Sequence, residues 1–296
     1  MTSPGPGESW NSLRPPWPVP TDLAGDVQPP PMIERSAFVA ESIRRYGDDE
    51  LLAGQRWNAV RRLLSDGDMN GFSGTGENTG PENRVLAAWL LTPREDFLLP
   101  EMRQSAYLPN ALPLGHGQTI SAPYMVTRMT SALNPSPSHA VLEIGTGSGY
   151  QAAMLSVLSS DVRTIETVPF LASKARQILS DLGTKRPWLD RIRVRLGNGY
   201  DGWSDGAPYD RIVVTCAIDH IPPALLEQLA PGGILILPLG PSRIQALMAI
   251  RRRIEGESAP PGRRWTPLDG IPGVGKFDIS DVYGDGTRVR FVPFVY

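Results

Sequence analysis

The spacing of apolar residues changes along the chain. Over 33–46 and 51–64, apolar residues recur at helical intervals with arginine and glutamate between them, which predicts two amphipathic helices. A third helix is predicted over 83–91, because Pro93 follows and the residue before a proline is biased away from the helical conformation. The stretch 65–82 is rich in glycine, asparagine and serine and is predicted to be a loop.

From residue 122 onward, helical and strand patterns alternate. The stretches 212–214 and 234–237 are apolar throughout, as expected for parallel strands that helices cover on both faces. Two more strand-like stretches, 245–253 and 288–295, are expected to form an antiparallel pair that closes the sheet. The predicted helices are 122–133, 150–158, 169–182 and 222–229, and the predicted strands are 140–144, 162–166, 191–195, 210–215 and 233–238. The pattern predicts a doubly wound α/β fold.

The N-terminal region differs in composition from the rest. Residues 1–31 are dense in proline, glycine and serine and carry no helical or strand pattern, so we expect an unstructured leader. The remaining chain, 32–296, is long enough for one large domain with a full core.

Composition narrows the classes of partner and cofactor. The formal net charge is -2, which gives no electrostatic case for nucleic acid or an anionic membrane as partner. A single cysteine, Cys216, excludes an intrachain disulfide, and the three histidines are not spaced as zinc ligands, so no metal is expected. We find no signal-like segment and no apolar stretch long enough to cross a bilayer, and therefore expect a cytoplasmic location.

The stretch 141–150, Val-Leu-Glu-Ile-Gly-Thr-Gly-Ser-Gly-Tyr, carries the clearest chemical signal. An apolar strand runs into a glycine turn and then a helix, so backbone can approach a ligand closely. Tyr150 stands where a dinucleotide fingerprint needs glycine, and Glu143 before the turn disfavours a pyrophosphate. An acid at this place suits a cationic ligand such as S-adenosylmethionine, and Glu166 at the end of the next strand is placed for ribose hydroxyls. The alternative is that both acids are strand-end charges beside a tight turn.

A second motif lies upstream. Gly-His-Gly-Gln-Thr-Ile-Ser, 115–121, precedes Pro123 at a predicted helix start. It brings hydroxyls and an amide to one point. Taken alone, it is equally compatible with Ser121 acting only as a helix cap.

Together these segments resemble the protein-L-isoaspartate (D-aspartate) O-methyltransferase family. The resemblance spans nearly everything after residue 82, and 33–47 is similar to the family's first helix, so 48–81 is interpreted as a family-atypical insertion. The similar segments are 85–97, 117–121, 141–151, 208–215, 229–233 and 290–293, in the family's order and spacing. The resemblance implies a class I S-adenosylmethionine-dependent methyltransferase with a mostly parallel seven-stranded sheet and a reversed C-terminal strand.

The resemblance also implies roles for individual residues. Ser121 and Thr119 would be the catalytic residues, with Ser121 donating a hydrogen bond to the incoming carboxylate. The cofactor would be held by Gln118, Ile120, Glu143, Gly145, Thr146, Gly147, Ser148, Gly149, Glu166, Asn198 and Gly199. The substrate would be held by Ser121, Arg290, Phe291, Val292 and Pro293. Such enzymes methylate isoaspartyl or D-aspartyl carboxylates of damaged proteins, and the ester then collapses to a succinimide.

Several features of the chain depart from the family pattern. Asn198 stands where the family usually carries aspartate, which removes a charge near the adenine, and 255–276 is a proline- and glycine-rich excursion. With the leader and the 48–81 insertion, these departures leave two alternatives open. One is an aspartate methyltransferase dedicated to a peptide natural-product precursor, and the other is a non-catalytic binding module that retains the fold.

Overall fold

The computed structural model describes residues 35–65, 83–241, 244–256, 258, 266–268, 277–282, 288–289 and 291. The predicted leader, 1–31, and 66–81 of the predicted insertion lie outside these residues. The helices are α1 (Arg35–Tyr46), α2 (Glu50–Ser65), α3 (Asn83–Leu91), α4 (Pro123–Leu133), α5 (Tyr150–Leu158), α6 (Pro169–Gly183) and α7 (Pro223–Glu227). The strands are β1 (Leu112–Gly115), β2 (Gln118–Ile120), β3 (Ala140–Ile144), β4 (Asp161–Glu166), β5 (Ile192–Leu196), β6 (Tyr209–Val214), β7 (Leu229–Leu239), β8 (Gln245–Arg252), β9 (Thr266–Leu268), β10 (Phe277–Asp281) and β11 (Arg288–Val289).

One large sheet organises the described residues. Its strand order is β5-β4-β3-β6-β7-β8-β10-β9, with β11 also paired to β8. The strands from β5 to β7 are parallel, and β8 onward pair antiparallel. β3 lies between β4, which pairs with all five of its residues, and β6, which pairs with 141–144, so the turn that follows β3 opens at the centre of the parallel half. The predicted doubly wound class I fold is confirmed.

The antiparallel half of the sheet differs from the prediction. Among the described residues the large sheet has nine strands rather than seven, and the predicted closing pair is only the short contact between β8 and β11. Most of the free edge of β8 is taken by β10, which was not predicted as a strand. Phe277 of β10 is fully buried, but the neighbouring Asp278 is buried as well and Ile279 is only half-buried, so burial does not follow the apolar residues. The strand is also short and lies after a proline- and glycine-rich stretch. A strand was therefore not apparent from the hydrophobic pattern of 277–281.

Local sequence accounts for the ends of the helices beside the sheet. Pro123 and Pro169 occupy the first turns of α4 and α6, where the missing N–H has no intrahelical partner to lose. α4 ends at Asn134, which adopts a left-handed conformation with φ of 46° and returns its N–H to the Thr130 carbonyl. These ends set where each connecting loop begins.

The described half of the predicted insertion is helix α2, which packs into the core. Ala53, Ala59 and Leu63 are buried in the same apolar cluster as Trp89 of α3 and Tyr150 of α5. α1 and α2 therefore cover the outer side of α3 and α5. Whether 48–81 is atypical for the family stays a prediction.

Candidate functional site

Two adjoining cavities open at the carboxyl ends of β3, β4 and β6, the position at which doubly wound sheets bind ligands. The empty space is about 540 Å³ in the larger cavity and about 400 Å³ in the smaller, with the solvent at their open mouths included. Of the predicted site residues, the larger cavity is lined by Gln118, Thr119, Gly145, Gly147, Glu166 and Gly199. The smaller is lined by Thr119, Ile120, Ser121, Glu143, Gly145, Thr146, Gly147 and Ser148. The two cavities share Thr119, Gly145, Gly147 and Thr215 and form one continuous space, which is called the cleft from here on.

The glycine turn after β3 forms the floor of the cleft. Gly145 has φ of 97°, and a Cβ there would lie 2.5 Å from the Thr215 hydroxyl oxygen, so only glycine fits. Thr215 in turn donates to the Gly145 carbonyl at 2.7 Å. Gly147, with φ of 54°, leaves its face of the turn open apart from Leu114 at 3.6 Å. Backbone atoms are thus exposed to a ligand.

Glu166 lies at the end of β4 on the wall of the larger cavity. One carboxylate oxygen accepts a hydrogen bond from the Gly147 amide at 2.7 Å, and the other accepts from the Val168 amide at 2.9 Å. These two bonds fix the carboxylate beside the turn, and each oxygen retains lone pairs for a further donor. The position suits hydroxyl groups of a ribose.

Glu143 is fully buried near the end of β3 and lines the smaller cavity. Thr164 of β4 donates a hydrogen bond to Oε2 of Glu143 at 2.6 Å, whereas Oε1 has no partner among the described residues. Burial raises the pKa of Glu143 to about 8, with Thr164 acting in the opposite direction and Glu166 adding to the rise. An isolated buried acid calls for a cationic or hydrogen-donating ligand.

The hairpin of β1 and β2 forms the opposite wall. Gln118 and Thr119 line the larger cavity, and Thr119, Ile120 and Ser121 line the smaller one. Arg94, which is fully buried, donates to the Ser121 carbonyl at 2.7 Å and so fixes the loop that carries the hydroxyl. The structure therefore brings together the two motifs that are separated in sequence.

Some predicted cofactor residues lie elsewhere. Gly149 lines neither cavity; it precedes α5 with φ of 89°, and a Cβ there would contact Ala175 and Leu179 at 3.5 Å. It serves the packing of α5 against α6. Asn198 is also outside the cavity walls, and its side-chain oxygen accepts from the Tyr200 amide at 3.0 Å. Of Asn198 and Gly199, the glycine is the one that lines the larger cavity.

The predicted substrate strand is described at one residue. Phe291 is buried, and its amide donates to the Gln245 side chain at 2.9 Å, so the backbone here is tied to the start of β8. Arg290, Val292 and Pro293 lie outside the described residues.

Sequence reasoning missed several side chains that line the cleft. Tyr150 and Gln151 at the start of α5 line the smaller cavity, Cys216 lines the larger one, and Thr215, which also follows β6, lines both. Cys216 was interpreted as a core residue; it is buried but also forms part of the cavity wall. The available signal was topological, because the ends of neighbouring parallel strands meet at one edge of a sheet.

The described residues contain no cluster of three or more His, Cys, Asp or Glu side chains that could bind a metal ion. They also contain no helix that is long and apolar enough to cross a membrane.

The cleft fits S-adenosylmethionine. The unpartnered oxygen of Glu143 suits the ammonium group of this cofactor, and the glycine turn leaves room for its methionine portion. Glu166 suits its ribose hydroxyls. The fold and the cleft define a class I S-adenosylmethionine-dependent methyltransferase. A sequence model of the protein-L-isoaspartate(D-aspartate) O-methyltransferase family matches residues 76–260, which is more than half of the chain. The chain belongs to that family.

Individual relatives agree with the family assignment. The chain is similar to protein-L-isoaspartate O-methyltransferase 2 of Polaromonas sp., with 46% identity over 59% of this chain and 81% of the relative. It is 40% identical to the protein-L-isoaspartate O-methyltransferase of Methanopyrus kandleri over 71% of this chain and 88% of the relative.

Solved structures agree with the fold. A protein-L-isoaspartate O-methyltransferase structure gives a TM-score of 0.55 at 26% identity, covering 67% of this chain and 60% of the other. A Plasmodium falciparum structure described as a beta-aspartate methyltransferase in complex with S-adenosyl-L-homocysteine gives 0.57 at 21% identity, covering 80% and 97%. The latter likeness concerns the fold alone.

Proposed function

We propose that this protein transfers the methyl group of S-adenosylmethionine to carboxylates of L-isoaspartyl and D-aspartyl residues in damaged proteins or peptides. The resulting methyl ester would collapse to a succinimide and begin repair. The observation that carries the proposal is the smaller cavity, in which the Ser121 loop and the glycine turn line the same space. The names of the relatives at 40–46% identity support the substrate class.

The side chains around the smaller cavity suit a carboxylate nucleophile. S-adenosylmethionine supplies a methyl group on a positively charged sulfur. Opposite charges neutralise as a carboxylate attacks, so no general base is needed and positioning carries most of the rate. Apart from the Glu143 carboxyl, the polar side chains among the described residues that line this cavity are hydroxyls and an amide, with no histidine or lysine. Ser121 and Thr119 are the hydroxyl donors available to the incoming carboxylate.

The remaining residues would hold the methyl donor. Glu143 in the smaller cavity would take the ammonium end, and Glu166 in the larger cavity would accept from the ribose hydroxyls. Gln118 and Gly199 border the larger cavity, where the adenine would lie. Because the two cavities join through Thr119, a methyl group on the sulfur would lie at their junction.

The substrate side of the proposal includes Arg290, Phe291, Val292 and Pro293 as peptide contacts. The hydrogen bond from the Phe291 amide to Gln245 supports it at the one residue of the four that the structure describes, because it joins Phe291 to the sheet. Partners would be proteins or peptides that carry isoaspartyl residues, and the place of action would be the cytoplasm.

The test is methyl transfer from labelled S-adenosylmethionine to two peptides that differ only in an aspartyl or isoaspartyl linkage. We expect the isoaspartyl peptide to be labelled at a far higher rate. Equal labelling, or labelling of neither peptide, would contradict the proposal. If neither is labelled, calorimetry with S-adenosylmethionine distinguishes an enzyme with a dedicated peptide substrate, which binds the cofactor, from a binding module that does not.

A further inference from the structure

Three buried side chains form a hydrogen-bonded chain beneath the glycine turn. Thr164 donates to Oε2 of Glu143 at 2.6 Å, and the hydroxyls of Thr146 and Thr164 lie 2.7 Å apart. Each of the three residues is at most 3% exposed. A threonine hydroxyl has one proton to donate, and the proton of Thr164 goes to the carboxylate. Thr146 is therefore the donor to Thr164, and both hydroxyls point their protons towards Glu143.

The second carboxylate oxygen of Glu143 is left for a ligand. Oε1 is buried without a partner among the described residues, and the side chain lines the smaller cavity. Glu166 contributes a like charge from the end of β4. The nearby Cys216 thiol after β6 and the Tyr150 hydroxyl on α5 are neutral, because burial raises the pKa of each. Among the described residues, no arginine, lysine or histidine shifts the pKa of Glu143.

We propose that Thr164, which accepts a hydrogen bond from Thr146, is a positioning residue for the methyl donor. By holding Oε2 of Glu143, Thr164 orients Oε1 into the cleft. There the ammonium of the ligand replaces the proton that Glu143 otherwise carries. The proton leaves to the solvent, and the charge of the ligand takes its place. Cofactor binding is then coupled to the release of one proton.

The protonation balance supports this coupling. With its pKa raised to about 8 by burial, Glu143 is mostly protonated at about pH 6.5 when the cleft lacks a cation. An α-ammonium group titrates at about 7.7–8.0, so a ligand of this type is already cationic at the same pH. A cation beside a carboxyl group favours its ionised form. Binding at this pH therefore exchanges a proton on Glu143 for the ammonium.

Calorimetry with S-adenosylhomocysteine at about pH 6.5, in two buffers of different ionisation enthalpy, counts the protons released. We expect close to one proton per site for the native protein and none for Glu143→Gln, which has no carboxyl proton to lose. Release of no proton by the native protein would overturn the proposal. No peptide is present, so the result is separate from the peptide assay of the proposed function.

Variants of Thr164 test the positioning role. Thr164→Val keeps the shape but removes the donor that lowers the pKa of Glu143. The affinity for S-adenosylhomocysteine is then expected to fall about tenfold or more at about pH 6.5, the size of a lost hydrogen bond to a charged group. The pH of tightest binding should also move to a higher value, because it lies between the pKa of Glu143 and that of the ammonium, while Thr164→Ser restores the native profile.

A merely structural role predicts a different result. It would lower the melting temperature and weaken binding equally at every pH, without moving the pH profile, and that outcome would overturn the assignment. If Thr164→Val does not fold, Thr146→Val removes only the second hydrogen bond of the chain. A smaller shift of the profile in the same direction is then expected, and an unchanged profile would contradict the proposal.

Discussion

Arg94 is the residue on which the position of the Ser121 hydroxyl depends. Its guanidinium donates to the Ser121 carbonyl at 2.7 Å and to the Ala106 carbonyl at 2.9 Å, and it lies 5.1 Å from the centre of the Tyr150 ring. Burial lowers the pKa of Arg94 to about 10, which still leaves it cationic at neutral pH. One buried cation thus joins the loop of Ser121 to α5, and the loop is held before any substrate arrives.

The Ser121 hydroxyl itself can be tested by Ser121→Ala. A hydrogen bond to a charged carboxylate is worth about 1.5–3 kcal/mol, so kcat/KM for an isoaspartyl peptide should fall about 10- to 100-fold. The affinity for S-adenosylhomocysteine, measured by calorimetry, should stay within about twofold. Ser156→Ala is the matched control, because Ser156 is a buried serine of α5 whose hydroxyl donates to the Ala153 carbonyl within the same helix, away from the cavity walls. Native turnover in Ser121→Ala would refute the role of the hydroxyl.

At the scale of elements, the β1–β2 hairpin and the start of α6 meet beside the larger cavity, to whose wall both segments contribute. The hairpin turn carries His116, whose ring lies 4.7 Å from that of Phe170 on α6. The hairpin contributes Gln118 to the cavity wall, and the residues just before α6 contribute Val168. Both rings are exposed, so their contact fastens the rim of the cavity rather than its floor.

Breaking this contact should weaken the hold on the cofactor. Aromatic pairs are worth about 0.5–1.5 kcal/mol, so Phe170→Ala and His116→Ala should each speed dissociation of S-adenosylhomocysteine about 2- to 10-fold. Stopped-flow displacement measures the rate. Leu196→Ala, which shortens a comparably exposed side chain of β5 outside the cavity walls, should leave it unchanged. Native dissociation rates in both ring variants would show that the contact does not close the rim.

At the scale of the whole molecule, a buried ionic cluster joins the N-terminal helices to the methyltransferase sheet. Asp48, between α1 and α2, accepts hydrogen bonds from Arg56 at 2.5 Å, Arg186 at 2.6 Å and Ser42 at 2.6 Å. Burial acts to raise the pKa of Asp48, but the two arginines outweigh it and hold the pKa below its ordinary value of 3.8. The charges of Asp48 and its partners thus tie α1 and α2 to the loop before β5.

Asp48→Asn should therefore destabilise the protein strongly. Removing one partner of a buried ion pair typically costs about 3–5 kcal/mol, because the other charges stay buried without compensation. Urea unfolding near pH 7 measures the loss, with the exposed Asp181→Asn of α6 as control. Since the folded pKa is depressed, the contribution of Asp48 is present above about pH 4 and is lost as the pH falls through the folded value. The difference between native and variant protein should shrink in acid, and a constant difference would contradict the ionic origin.

Much of the parallel half of the fold was predictable from local pattern. β3, α5 and β4 match the predicted 140–144, 150–158 and 162–166 within a residue, because apolar runs and the glycine turn mark both element type and ends. The antiparallel half was less predictable. β10 follows a proline- and glycine-rich stretch, and its place beside β8 depends on a pairing between segments distant in sequence.

By itself, the sequence determined the class of cofactor, the family and the residues of both motifs, because strand, turn and acid spacing are local properties of the chain. Only the tertiary structure decided which role each of these residues has. In the structure, Gly149 serves helix packing and Asn198 caps a turn. Thr164 donates a hydrogen bond to Glu143, and Arg94 donates one to the Ser121 carbonyl. Except for the local turn at Asn198, these roles depend on contacts between elements, and such contacts are set by how strands and helices pack rather than by their order along the chain.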